Sequence, residues 1–387
     1  MKTRYLRGLM LCISIILYGQ STHFPVLDGM EKRVQFWTDV FTKYSLNHIL
    51  IHDSDYPERV YRVLDFRELD ARGLLYKNKR LDSIRQAKKE IRDILKKLEF
   101  VKDTTALSVE ERRIRRLFGT NPVPGTFIRA ARHLHTQKGA QETFKAGLVR
   151  SGRYVPAMKA IFKEEGLPGE LVYLAHVESG FHPKAKSPAG AVGVWQFMKS
   201  TGQYYMKIGS SIDERNDPIL STKGAALLLK SNYQKTRSWP LAITAYNHGE
   251  NGIDRAVKKT KSRDLMKIIR KYRSSLFGYA SKNFYAEFLA ARRIARNPDR
   301  YFPDIVPESP MQFKIVALPF PFTFREVADM FQVPPDLLAE MNPALKQAVT
   351  KQGKKIPRGY SFRLPVEIEA VGARVLGAGM GAAIYGL

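Results

Sequence analysis

The chain has 387 residues, with 64 Lys and Arg against 37 Asp and Glu, for a formal net charge of +27. A hydrophobic share of 44%, with 11% aromatic residues, excludes a disordered chain and gives enough apolar mass for a large core and two or more domains. The only cysteine, Cys12, excludes a disulfide framework and thiolate metal sites, while the charge calls for an anionic surface as partner. No helix-turn-helix, zinc-finger or RNA-binding signature makes that partner a specific nucleic acid.

Lys2, Arg4 and Arg7 precede a short apolar run from Gly8 to Gly19, and Gly19-Gln20-Ser21 offers small residues for cleavage. Residues 1–21 are therefore expected to be a signal peptide, too short for a transmembrane helix. Cys12 interrupts the apolar run rather than following it, which argues against a lipoprotein. Residues 30–122 read as a helical N-terminal region. Phe36, Trp37, Val40, Phe41 and Tyr44 recur at helical spacing and predict a core or domain seam. His48-Ile49-Leu50-Ile51-His52-Asp53 reads as a short strand, and its alternate His and Asp are too weak a pattern to call a metal site. Leu81, Ile84, Ile91, Ile94 and Leu98 predict a long amphipathic helix. Asn121-Pro122-Val123-Pro124-Gly125 breaks the pattern and marks a boundary.

Helix is expected to resume from Thr126 to Glu165. Pro168 and Gly180 then bracket a predicted helix on which Leu171, Leu174, Ala175 and Glu178 share one stripe. The stripe is apolar until its last member. A carboxylic acid ending a buried stripe is partly desolvated, which raises its pKa and suits it to general-acid chemistry at neutral pH. A lone Glu near a helix end is ordinarily a solvated side chain, so the neighbouring residues must carry the weight. From Ser179 to Ile212 there is no Asp or Glu. That run holds Gly193-Val194-Trp195-Gln196, and further on comes Ala245-Tyr246-Asn247. Aromatic rings beside amides line sugar-binding clefts, although Trp195 alone reads equally well as core.

Further helices are expected at Thr222–Tyr233, Trp239–Tyr246 and Asn283–Arg296, closed by Asn297-Pro298. Pro303 to Pro310 reads as a linker. Beyond it the pattern is strand at Phe313–Val316, helices at Thr323–Phe331 and Pro335–Met341, and strand at Tyr360–Leu364. The tail 366–387 is rich in Gly and Ala and has no functional reading.

Glu178-Ser179, Gly193-Val194-Trp195-Gln196, Ala245-Tyr246-Asn247 and Ser281-Lys282-Asn283-Phe284-Tyr285 occur in an order and at separations that resemble the catalytic domain of soluble-type lytic transglycosylases, closest to the membrane-bound type D branch. The resemblance covers roughly Gly147 to Phe302. It implies a mainly α fold: a lysozyme-like helical catalytic domain over 126–302, preceded by the helical N-terminal region. The β-α-α-β order of 311–365 resembles a small α/β LysM-type module, degenerate where Leu318-Pro319-Phe320-Pro321-Phe322 replaces its usual Gly-Asp-Thr.

The resemblance implies cleavage of the β-1,4 bond between N-acetylmuramic acid and N-acetylglucosamine in peptidoglycan glycan strands, with a 1,6-anhydromuramoyl product. It makes Glu178 the single general acid and base, and gives Ser187, Gln196, Tyr246 and Asn247 to substrate binding. The family often has Asn-Tyr where this chain has Asn283-Phe284-Tyr285; either Tyr285 supplies that phenol or the role is lost. No cofactor or metal is expected. The protein is expected to be exported to the periplasm, beside the anionic cell wall or outer membrane. Two other readings stand: a goose-type lysozyme-like hydrolase with Asp213, Glu214 or Asp217 as base, and a non-catalytic cell-wall-binding protein.

Overall fold

The computed structural model describes residues 23–73, 77–318 and 320–366. The expected signal peptide with Cys12, and the tail from residue 367 on, lie outside them. Helix α1 (Glu31–Thr42) is the aromatic stripe of the sequence: Phe36, Trp37, Val40 and Phe41 are all buried. Its partner is α14 (Tyr279–Ala295), far along the chain. The seam is polar as well as apolar. Buried Arg33 donates to Asn283 Oδ1 at 2.6 Å, and Trp37 Nε1 donates to the same oxygen at 3.2 Å. The start of the N-terminal region thus belongs to the same core as the helices that follow.

Strands β1 (His48–Asp53), β2 (Val60–Asp65) and β3 (Leu134–Lys138) form an antiparallel sheet in the order β2-β1-β3, with Ile51 opposite Arg62 on one side and Thr136 on the other. Between β2 and β3 lie α2 (Arg67–Ala71), α3 (Lys77–Phe100), α4 (Val109–Arg116) and α5 (Thr126–Arg132). Ala87, Ile91, Leu95 and Leu98 of α3 pack with Ile51, Tyr61 and Phe127 in a second core. Leu81, expected on that stripe, is 39% exposed. Strand β3 interrupts a stretch expected to be helical. Its residues lack apolar alternation, and it is placed by backbone pairing to the buried β1.

Then come α6 (Gln141–Ser151), α7 (Val155–Glu164), a 3₁₀ turn (Gly169–Tyr173) and α8 (Leu174–Ser179). The single helix expected from Pro168 is therefore split, with Pro168 outside it in extended geometry. An irregular stretch holds α9 (Lys199–Gly202) and leads to α10 (Pro218–Thr236), α11 (Trp239–His248), α12 (Glu250–Thr260) and α13 (Leu265–Lys271). Helix α10 starts where Asp217 Oδ1 accepts the Ile219 and Leu220 N–H groups at 2.9 and 3.0 Å, with Pro218 at the first helical position.

After α14 the segment 303–310 lies along the end of α6 and the turn that follows it. Glu308 N donates to Val149 O at 2.9 Å and Met311 N to Arg153 O at 3.0 Å. Gly152 makes this approach feasible, since a Cβ there would overlap the Glu308 carbonyl oxygen. The C-terminal unit pairs β4 (Lys314–Ala317) antiparallel with β5 (Ser361–Leu364) around α15 (Phe324–Phe331), α16 (Pro335–Met341) and a short α17 (Gln347–Thr350). A capping box joins Thr323 and Glu326 at the start of α15. Val327, Leu338, Ile356 and Phe362 form the centre of its core, and Ile212 from the preceding helical domain is inserted among them.

Candidate active site

Glu178 sits in the last turn of α8. Gly180 ends that helix with φ of 58°, and Phe181 N closes the turn onto Ala175 O at 3.2 Å. Ser179 Oγ donates to Val194 O at 2.8 Å and ties this end to the loop that carries Gln196. Leu171, Leu174 and Ala175 are fully buried, as the stripe requires, and Glu178 is half-buried at its end. Burial first, and the charge of Glu287 second, push the Glu178 carboxyl up to about 8.

Glu178, Ser187, Gln196, Tyr246 and Asn247 line one open cleft of about 850 Å³. Gln196 holds a left-handed backbone with φ of 48°, braced by its own Nε2 donating to Gly193 O at 2.8 Å. Gly193 is needed there: its φ is 79°, and a Cβ would overlap the Arg215 carbonyl oxygen. Tyr246 OH donates to Trp195 O at 2.9 Å, and burial beside Glu178 holds the phenol well above its usual pKa, so it stays a neutral donor. Asn247 Oδ1 accepts from Ser281 Oγ at 3.0 Å, which joins the third motif to the fourth. The Ser187 hydroxyl accepts the Ala191 N–H at 3.0 Å.

Four residues weighed in the sequence lie outside the cleft lining. Tyr285 is not in the cleft: it is 1% exposed, its hydroxyl donates to Pro25 O at 2.8 Å, and its ring packs near Phe288. The segment before α1 supplies that carbonyl acceptor, and the phenol is buried with it. Asp213, Glu214 and Asp217 are likewise absent from the cleft lining. Asp213 clamps Arg215, Asp217 caps α10, and Glu214 accepts the Lys207 N–H at 2.6 Å. Trp195 resolves to core, fully buried with its Nε1 donating to Thr222 Oγ1 at 2.8 Å.

Sequence reasoning missed three features. Glu287, half-buried on α14, is held up at about 8 by burial, and its charge is felt at Glu178. Asn283, Phe284, Ala290 and Ala291, its neighbours three and four residues away, are all buried. Like Glu178, Glu287 is an acid set among buried helix neighbours. His248 lines the cleft, and burial lowers its pKa. Tyr204 and Met198, 85% and 41% exposed, form a further apolar part of the wall.

Residues 156–269 match the family described as Transglycosylase SLT domain. Membrane-bound lytic murein transglycosylase D of Escherichia coli is 30% identical over 201 residues, 51% of this chain and 44% of that protein. The match thus spans under half the length of that relative. Among solved structures, the 70 kDa soluble lytic transglycosylase of Escherichia coli aligns at a TM-score of 0.31 and 22% identity, covering 37% of this chain and 24% of that one. An inactive mutant of the lytic transglycosylase Slt of Pseudomonas aeruginosa aligns at 0.31 and 18%, covering 40% and 25%. Those superpositions are too partial to add to the family match. Glu178, Ser187, Gln196, Tyr246 and Asn247 all lie within the residues 156–269 that match the transglycosylase SLT domain family.

Proposed function

We propose that this chain is a peptidoglycan lytic transglycosylase, cleaving the β-1,4 bond between N-acetylmuramic acid and N-acetylglucosamine to leave a 1,6-anhydromuramoyl end. The observation that carries the reading is a carboxyl held protonated at neutral pH, Glu178 at about 8, at the wall of a cleft lined with amides and hydroxyls. Glu178 gives its proton to the glycosidic oxygen as the bond to C1 breaks. Its carboxylate then takes the proton of the C6 hydroxyl as that oxygen closes onto C1. No water is consumed. Ser187, Gln196 and Asn247 orient the sugars, and Tyr246 fixes the loop that bears Gln196.

Glu287 is the observation that favours a second reading, because hydrolases pair two carboxyls. Burial keeps Glu287 neutral at neutral pH, however, and a neutral carboxyl is a poor nucleophile or base. This supports one acid-base group over two. A non-catalytic wall-binding role would leave the pKa of Glu178 without a use.

We place the substrate outside the cytoplasm, reached through the leader at 1–21, and the +27 charge favours contact with anionic wall or membrane surface. Among the described residues no helix is long and apolar enough to cross a membrane. We take 311–365 as a LysM-like unit joined at 303–310, on its two paired strands enclosing α15 and α16, with the short α17 added before the second strand. Mass spectrometry of fragments released from purified sacculi tests the proposal: anhydro ends, one water lighter than hydrolytic ends, are expected. Reducing ends alone would replace it with a hydrolase, and no release would leave the binding reading.

A further inference from the structure

The catalytic motifs leave unexplained why the stretch between α9 and α10 is joined so closely to the C-terminal unit. We infer that this unit braces the cleft wall, and that Arg363 is a positioning residue acting through Asp217. The inference rests on the cleft being the reaction site proposed above.

Two lines of contact run from the unit to the cleft. In the first, Ala344 O accepts the Asp213 N–H at 2.8 Å, and Lys346 N donates to Ser211 O at 3.0 Å alongside. The Asp213 carboxylate grips the Arg215 guanidinium on two sides, at 2.9 and 2.7 Å. Arg215 Nη1 donates in turn to Phe197 O at 3.3 Å. The Arg215 side chain also lies against Gly202 of α9, where a Cβ would come 3.2 Å from its Cδ. Phe197, Met198, Thr201 and Tyr204 are cleft wall.

In the second line, Arg363 Nη2 meets Asp217 Oδ2 at 2.5 Å, while Arg363 Nη1 donates to Met341 O at 3.0 Å. The other Asp217 oxygen caps α10. In the first turn and a half of that helix Thr222 Oγ1 accepts from Trp195 Nε1, and Trp195 O accepts the Tyr246 phenol. Tyr246 faces the cleft together with Glu178.

The contacts are buried. Asp217 is 0% exposed, Arg363 4%, and Asp213 and Arg215 8% each. A tethered binding unit would need none of them. Charged groups withdrawn from water this far must be paired, so the unit and the 207–217 stretch hold each other in one register. Ile212, inserted into the C-terminal core, fixes the same register by apolar packing. The wall of the cleft is therefore set by residues more than a hundred positions further along the chain. Small displacements of groups that hold a substrate can cost about 10²-fold in rate.

The test uses the full chain with Arg363→Met, Arg363→Lys and Asp217→Asn, the last nearly isosteric and able to keep its capping oxygen. Amide exchange over 197–206 is measured with kcat and KM on short soluble peptidoglycan fragments, and Glu178→Gln serves as an inactive control. The inference expects faster exchange over 197–206 and a kcat lowered by about 10–10²-fold in Arg363→Met and Asp217→Asn. It expects partial recovery in Arg363→Lys and native exchange in Glu178→Gln. Should Arg363→Met not fold, Asp217→Asn decides. Native exchange over 197–206 in the folded variants overturns the brace whatever the activity does, and faster exchange with native kcat overturns the positioning role. A wild-type chain that releases nothing from sacculi or fragments defeats the proposed function instead, and the exchange data still decide the brace.

Discussion

Glu178 and Glu287 form a pair of half-buried carboxyls whose environments both favour the neutral form. Replacing Glu178 by Gln removes the titrating proton with little change of shape, so release of fragments should fall by about 10²–10⁴-fold or more while the melting curve stays native. A variant that keeps near-parental release would remove Glu178 from the reaction. The pH profile gives a finer check. The proposed reaction needs Glu178 protonated, so kcat/KM should fall as pH rises through about 8. The charge of Glu287 is the second cause of that elevation, so Glu287→Gln should move the alkaline limb to lower pH. An unmoved limb would leave burial as the sole cause. The buried stripe that ends in Glu178 was legible in the sequence, and the motifs after it, rather than the stripe alone, singled that residue out. Glu287 lies on a helix read only for its motif. Tyr285 was misplaced because its acceptor, Pro25 O, lies 260 residues away, beyond the reach of any local pattern.

At the level of elements, the helix pair α1 and α14 decides how the N-terminal region joins the rest. The aromatic stripe of α1 could be read as core, but its partner could not, since the contact pairs residues about 250 positions apart. Asn283 is the polar centre of the seam, accepting both the Arg33 and Trp37 donors on one oxygen. Burial also lowers the Arg33 pKa, a sign of how little water reaches the guanidinium. Asn283→Leu should therefore strand a buried charged donor and cost roughly 1.5–3 kcal/mol, seen as a lower midpoint in urea with an unchanged slope. A midpoint within error of the parent would mean that Arg33 finds its acceptors elsewhere. Strand β3 carries a related lesson. Its residues show no period-two apolar signal, because a strand held by pairing to a buried neighbour needs none.

Across the whole molecule, two properties follow from charge. The +27 balance should draw the protein to anionic wall, and binding to sacculi should weaken with salt as exposed charges are screened over about 8–10 Å; equal retention at low and high salt would refute this. Four groups with large shifts should contribute most to the pH dependence of stability. His52 and His176 are buried and held down at about 3, against an ordinary value of 6.5. Between pH 3 and 6.5 the unfolded chain therefore binds more protons at these two sites, and stability is lost as pH falls through that window. Glu178 and Glu287 run the other way, at about 8 against 4.5. Between pH 4.5 and 8 the folded chain binds the extra protons, and stability is lost as pH rises. The two pairs oppose each other from 4.5 to 6.5, so these four groups give a plateau there, with a decline on either side and no further change from the Glu pair above pH 8. Among the described residues neither ring nitrogen of His176 has a hydrogen-bond partner, and the ring stacks on Phe144 at 4.9 Å. An apolar residue can take its place, so His176→Leu should make the acid decline shallower by one proton. Urea midpoints from pH 3 to 9 measure both effects. A maximum above pH 7, or an acid limb unchanged in His176→Leu, would show that these buried groups do not govern the profile.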